Sequence, residues 1–293
     1  MCDDGSIDKT AEVISALCEK SEFPVIVISA STHIGKARMD NEAVASANGD
    51  FILWNDSDDY LLPKAIETLV DAIGAISESE RANYVGIAAL CSNKDGELIS
   101  TPLPFDHVFD TTWNDLVAKY KVKNDMLYMT RSAVLKANPF PEVDFVVPES
   151  VVWNAIGNAK ARVLPIVVKI VEYGAPNAVS FSGLMEYSRG RAYAMAVMER
   201  YLSGYRQSIL RRLWVLITYI RYSVHGEIDI FTLRRLWGEN SGSIEFAMMM
   251  PLAILLAVKD TLQRKVRKTH REFDKANSTV SIRVRKYVGG KIL

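Results

Sequence analysis

Along the first part of the chain, short continuous apolar runs alternate with stretches whose apolar residues recur every three or four positions. The first pattern predicts buried strands, and the second predicts helices with one covered face. AEVISALCEK (11–20) has helical spacing and follows Asp8 and Thr10, both N-cap types. FPVIVISA (23–30) is a β-branched run, expected as a buried parallel strand. KARMDNEAVASAN (36–48) predicts a helix stopped by Gly49. DFILW (50–54) predicts a second buried strand, running into NDSDD (55–59). Pro63 then opens a helix over KAIETLVDAIGAI, and YVGIAALC (84–91) predicts a third strand before the turn NKDGE.

Further on, short strands are expected around Met126–Thr130, a helix over PESVVWNAIGNA (148–159) and a strand over RVLPIVVKIVEY (162–173). The alternation is that of an α/β sheet, which binds ligands at the carboxyl ends of its strands. Both acidic clusters, Asp3/Asp4 and Asp56/Asp58/Asp59, fall at such ends. From about Ser182 the texture changes to long helical stretches rich in Arg, Leu, Tyr and Met.

Composition adds limits. The chain has 293 residues, about half of them apolar, enough for a full core. Its 3 cysteines show no CxxC spacing, which argues against a disulfide framework or structural zinc and suits a reducing cytosol. The start shows no basic segment followed by an apolar run, the pattern of a secretory signal. Charge is divided: residues 181–293 hold 20 Lys+Arg against 9 Asp+Glu, and residues 1–180 hold 15 against 26. A basic tail is either a solvated helical face or a surface drawn to anions, nucleic acid or the cytoplasmic leaflet.

The acidic loop after the second strand carries the candidate chemistry. Asp56 and Asp58 lie two apart, so both can project to one side of a strand end and offer oxygen ligands to a hard divalent cation. A solvated acidic turn is the plainer alternative. An EF-hand is excluded, because Tyr60 and Leu61 stand where an oxygen ligand and a glycine are needed. The 4 histidines show no HExxH spacing, and no Walker A or GxGxxG loop is present.

Taken in order, DDGSIDKTAEVI, GKARMDNEAVASANGDFILWNDSDDYLLPKAIETL and FPEVDFVVPESVVWNAIG resemble family 2 glycosyltransferases of the GT-A fold, over roughly residues 3–175. The resemblance implies an α/β, Rossmann-like GT-A domain over 1–180, followed by a basic amphipathic helical region over 181–293. It also implies inverting transfer of a sugar from a nucleotide-diphosphate donor, UDP-sugar being expected, with Mg²⁺ or Mn²⁺. The acceptor would be a hydroxyl of a surface polysaccharide or lipid-linked glycan. By the same resemblance Asp3 accepts a hydrogen bond from the base, Asp4 supports it, Asp56 contacts the ribose, and Asp58, with Asp59 beside it, holds the metal–diphosphate. Lys36 and Asn41 match a GK-x4-N pattern of one branch, although Asp40 stands where many members have arginine, with Arg38 two residues earlier. Asp125 matches an aspartate near the donor sugar or acceptor. Glu149 is the expected base, since inversion needs one carboxylate to take the acceptor proton and the usual Glu-Asp pair here is Glu149-Ser150. Glu149 as a simple helix-start charge is the alternative. Trp153 is either an acceptor wall or core.

In such enzymes a strand–helix–strand unit precedes DDGS, so the sequence is expected to be a fragment or to start at an internal methionine, with apolar strand edges left open. The apolar runs over 211–226 and 244–268 are too short or too interrupted to span a bilayer, and with flanking Arg and Lys they suit a helix lying in the membrane interface at the inner face of the cell membrane. A helical subdomain packed on the body is the alternative. Nucleic acid is not expected, because the cations are interleaved with long aliphatic runs. The rival functions are a sugar nucleotidyltransferase and a non-catalytic membrane-associated remnant.

Overall fold

Strand β5 (Tyr84–Ser92) is buried along its whole length, and the main sheet is built around it. The computed structural model describes residues 1–123, 125–172, 187–202, 209–238, 243–263, 281–288 and 291–292. In chain order the elements are β1 (Cys2–Asp3), α1 (Thr10–Lys20), β2 (Val25–Ala30), α2 (Lys36–Ser46), β3 (Phe51–Leu53), β4 (Tyr60–Leu61), α3 (Ala65–Gly74), α4 (Glu78–Arg81) and β5. Then come β6 (Phe109–Thr112), α5 (Trp113–Ala118), β7 (Leu127–Arg131), α6 (Ser132–Ala137), α7 (Ser150–Ile156) and β8 (Lys160–Ile170). The last elements are α8 (Ser188–Leu202), α9 (Ile209–His225), α10 (Ile230–Trp237), α11 (Ser243–Gln263), β9 (Ile282–Val288) and β10 (Lys291–Ile292).

The main sheet has the order β3-β7-β5-β8-β4, with β6 on β8. β5 runs parallel to β8 and antiparallel to β7. Its side chains feed two cores. Ile87, Ala89 and Cys91 pack with Leu69 and Ile73 of α3, and Val85, Ala88 and Leu90 face Trp113, Leu116, Val152 and Ile156. The alternation slips at Gly86, where the pairing with β8 is irregular. A Cβ at Gly86 would lie 2.0 Å from the Met129 carbonyl, so only glycine lets β7 approach this closely.

A second sheet has the order β1-β2-β9-β10. Here the structure corrects two expectations. β2 is parallel only to the short β1, and its longer partnership, from Val25↔Tyr287 to Ala30↔Ile282, is antiparallel with the tail strand β9. β3 is half-buried and antiparallel to β7. The chain is α/β, but its sheets are mixed. Nor is the C-terminal part helical throughout: β9 and β10 form an antiparallel pair. The edge of β2 opposite β1 is covered by β9, with Tyr287 buried against Cys18 and Val27.

Helices α8 to α11 enclose a core of their own, centred on Leu216, Tyr219, Ile220, Trp237, Phe246 and Ala253. Asp260 of α11 accepts two 2.5 Å hydrogen bonds from Arg221 of α9 and lies 3.0 Å from His225 Nε2. The Arg221 hydrogen bonds hold the Asp260 carboxyl below the usual range, against the opposing effect of burial. The bundle docks on the body through α8, where a Cβ at Gly190 would lie 1.8 Å from the Val146 carbonyl. Arg189 also pairs with Asp144 at 3.8 Å.

Candidate functional site

A cleft of about 1460 Å³ opens at the carboxyl ends of β2, β3 and β8. Its walls come from the start of α2, the turn after β3, the segments around Asp125 and Glu149, and Tyr187 and Arg191 of the C-terminal part.

The acidic turn is shaped by its own side chains. Asn55 donates to the carbonyls of Asp56 and Asp59, at 3.1 and 3.2 Å, closing the turn. Asp59 points inward, pairing with Lys169 Nζ at 2.6 Å and accepting from the Glu172 amide at 3.2 Å. Burial works against the Lys169 charge, but the hydrogen bond and charge of Asp59 outweigh it and raise its pKa. Asp56 and Asp58 are left exposed on the cleft wall.

Opposite them stands Lys36, at the first turn of α2. Its Nζ lies 3.3 Å from Asp56 Oδ1, 3.3 Å from Glu149 Oε1 and 3.6 Å from Asp40 Oδ1. Burial opposes this ammonium, but Glu149, Asp40 and Asp56 together outweigh it and hold its pKa above the usual value. Asp40 is 7% exposed; burial first, then Glu149 and Asp56, push its carboxyl up to about 7 against the pull of Lys36. Glu149 sits just before α7, its carbonyl accepting from the amides of Val152 and Trp153. The structure thus brings together Lys36, Asp56, Asp58, Asp125 and Glu149 on one cleft.

It does not bring Asp3, Asp4 or Asn41 onto that wall. Asp3 is buried and accepts from the Ser6 amide at 3.0 Å. Asp4 accepts from the amides of Ile34 and Gly35, at 2.7 and 3.0 Å, and pairs with His33, fixing the loop that delivers Lys36. Asn41 bonds both the amide and the carbonyl of Phe140, at 2.8 and 3.0 Å, and reaches Glu142 at 3.0 Å. These side chains hold the backbone that carries the lining residues. Trp153 lines the cleft and also packs on Trp113, Tyr128 and Phe140.

Sequence reasoning missed Lys169, Asn55 and the structural part of Asp40. The signal for Lys169 was present, since a lone cation inside an apolar strand demands a buried counter-charge. Asp40 was noted only as a departure from a pattern, and its partner lies one helical turn away at Lys36.

Among the described residues, no group of three or more His, Cys, Asp or Glu side chains forms a ready-made metal cage. Asp56 and Asp58 offer oxygen ligands alone, and much of their surroundings is acidic. That donor set fits a hard divalent cation that completes its shell with oxygens of a bound diphosphate.

Residues 1–99 match the family model described as Glycosyl transferase family 2. Over 67 residues the chain is 43% identical to a chondroitin synthase of Pasteurella multocida strain Pm70 and equally to a hyaluronan synthase of Pasteurella multocida. That stretch is 23% of this chain and 7% of either relative. A crystal structure of residues 1–349 of S. aureus TarS in complex with UDP aligns with a TM-score of 0.47 and 16% identity, over 96% of this chain and 86% of that one.

Proposed function

We propose that this chain, whose first 99 residues match glycosyl transferase family 2, is a GT-A type enzyme that transfers a sugar from a nucleotide-diphosphate donor with inversion. The observation that carries this reading is the meeting of Lys36, Asp56 and Glu149 within 3.3 Å contacts on a cleft that also presents Asp58. Asp56 and Asp58 face the donor, and Lys36 is the cation nearest both of the carboxylates that matter, Asp56 and Glu149. The acceptor hydroxyl attacks the anomeric carbon, Glu149 takes its proton, and the bond to the diphosphate oxygen breaks. Glu149 is partly exposed and lines the cleft just before α7.

Asp58, with Asp56, would hold Mg²⁺ or Mn²⁺, which supplies Lewis-acid neutralisation of the departing diphosphate. Asp59 is engaged by Lys169 and supports the turn rather than the ion. Asp125, which lines the same cleft, is the residue we assign to the donor sugar or acceptor. A UDP-sugar is the proposed donor and a surface-polysaccharide or lipid-linked hydroxyl the proposed acceptor, with the protein working at the inner face of the cell membrane. No helix among the described residues is long and apolar enough to cross a membrane.

Titration calorimetry with UDP, with and without Mn²⁺, beside Asp58→Ala, tests the donor half. Metal-dependent binding lost in the variant is the expected result. A folded chain that binds no UDP under either condition overturns the reading in favour of a non-catalytic remnant. Glu149→Gln tests the base: transfer is lost while UDP binding is retained.

A further inference from the structure

Helix α7 turns one stripe to the core and another to the cleft. Val152 and Ile156 pack in the main core. Glu149, Ser150, Trp153 and Asn154, spaced i, i+1, i+4 and i+5, line the cleft. The far end of α7 is clamped by Asn114 of α5, which is buried. The Asn114 backbone amide donates to the Gly157 carbonyl at 3.0 Å. Its Nδ2 donates to the Asn154 carbonyl at 3.2 Å and to Asn158 Oδ1 at 2.8 Å. A Cβ at Gly157 would lie 2.5 Å from Asn114 Oδ1, so this close approach needs glycine.

The clamp uses the backbone of Asn154 and leaves its side chain over. Asn154 is 8% exposed and lines the cleft, and its carboxamide has no hydrogen-bond partner among the described residues. A buried amide left unbonded costs free energy, so one held in a cleft wall points to a ligand that bonds it. Around it Trp113, Tyr128 and Trp153 line the same cleft, their ring centroids 4.8 to 5.7 Å apart. Trp113 Nε1 is also buried without an acceptor among the described residues. An aromatic wall with a few placed polar groups suits a molecule that is apolar on its faces and polar at its rim. A pyranose ring has this form, with C–H bonds on its faces and hydroxyls around its edge. A carboxamide both donates and accepts, so it meets a hydroxyl in either role.

Charge narrows the choice of ring. Asp125 and Glu149 line the cleft, and a carboxylate on the ring would be repelled by both. The ammonium beside Glu149, that of Lys36, is already shared by three carboxylates. Lys123 is exposed, where solvent screens its charge.

We infer that Asn154 selects the acceptor: an uncharged sugar ring lies against Trp153 and its aromatic neighbours, one hydroxyl on the Asn154 carboxamide and the reacting hydroxyl at Glu149. The helix rises about 7.5 Å from Glu149 to Asn154, so one ring with hydroxyls at both ends reaches both side chains. The inference rests on the transfer reading above, and donor binding is measured separately so that the two can fail apart.

The test is intrinsic tryptophan fluorescence of the full chain in UDP and Mn²⁺. It is titrated with the methyl β-glycosides of glucose, galactose, N-acetylglucosamine and N-acetylgalactosamine, and with methyl β-glucuronide. Asn154→Leu is the variant, with its Tm and its UDP affinity followed alongside. At least one neutral glycoside is expected to bind, and Asn154→Leu to weaken it about fivefold or more. The glucuronide is expected to bind more weakly than the best neutral glycoside by a similar factor. Tm and UDP affinity stay at the parent values, because an amide without a partner contributes nothing to the fold. Glycoside binding unchanged in Asn154→Leu, or absent from a parent chain that binds UDP, overturns the inference and leaves the transfer reading standing. A lowered Tm or UDP affinity in Asn154→Leu shows a structural role and overturns it as well. A glucuronide bound as tightly as the best neutral glycoside overturns the uncharged-ring assignment. A parent chain that binds no UDP overturns the transfer reading, and this inference with it.

Discussion

Lys36 and Glu149 form a 3.3 Å ion pair that joins the first turn of α2 to the start of α7. The same ammonium holds Asp56, so one side chain links the proposed base to the acidic turn. In Lys36→Met these carboxylates lose their shared counter-charge. An acidic turn left without that counter-charge repels a bound diphosphate, which predicts donor affinity weakened roughly tenfold to a hundredfold. Calorimetry with UDP and Mn²⁺ measures it; an unchanged affinity would remove Lys36 from the donor site.

The Asp59–Lys169 pair is nearly dry, with side chains 4% and 11% exposed. Breaking it from one side strands a buried charge. Lys169→Met is expected to cost about 3–5 kcal/mol in urea denaturation. Adding Asp59→Asn restores a large part of that loss, because both ions are then gone. Equal effects in the single and double variants would mean that packing, not charge, is at stake.

Asp40 gives stability a pH dependence of definite sign. Its folded-state pKa, about 7, lies above the ordinary carboxyl value of 3.8. Such a group favours folding while protonated, and the contribution is lost as pH rises through that window. Asp40→Asn stays neutral throughout. Its stability relative to the parent is therefore expected to rise between about pH 4 and about pH 8, by on the order of 1–3 kcal/mol. A difference that stays flat with pH would show that Asp40 is charged in the folded protein across the range.

Tyr287 is buried at 6% against Cys18 and Val27. Truncation by Tyr287→Ala is expected to cost about 2–4 kcal/mol and to loosen β9 from β2. The cysteines report it: Cys2 is exposed, whereas Cys18 and Cys91 are buried. In the variant Cys18 should become reactive towards a thiol reagent before global unfolding, while Cys91 stays protected inside β5.

The elements with clear periodicity were legible in the sequence. Helix α3 has its apolar stripe, β5 has a nearly continuous apolar run, and β8 is rich in Val and Ile. The short elements were not: β4 and β6 are two and four residues long, too brief for a periodic signal. The tail strand was hidden for another reason. IRVRKYV alternates apolar and basic residues only over its first four positions, and its place in the fold depends on an edge far away in the sequence. At the site, Asp56, Asp58, Asp125 and Glu149 could be picked out by residue type and order. That Asp4 and Asn41 serve the backbone could not, because a carboxylate or amide bonded to a loop amide looks the same in sequence as one facing a ligand.

The pairing of β2 with β9 also sets a clock. Ile28 meets Val284, so two strands separated by roughly 250 residues must find each other. At ribosomal rates of about 5–20 residues per second, β2 waits on the order of ten seconds or more for its longer partner. Throughout synthesis the edge of β2 opposite β1 lacks that partner, and it is covered only after the helices of the C-terminal part have been made. A nascent chain halted before Ser281 would therefore carry an open strand edge available to chaperones or to other nascent chains.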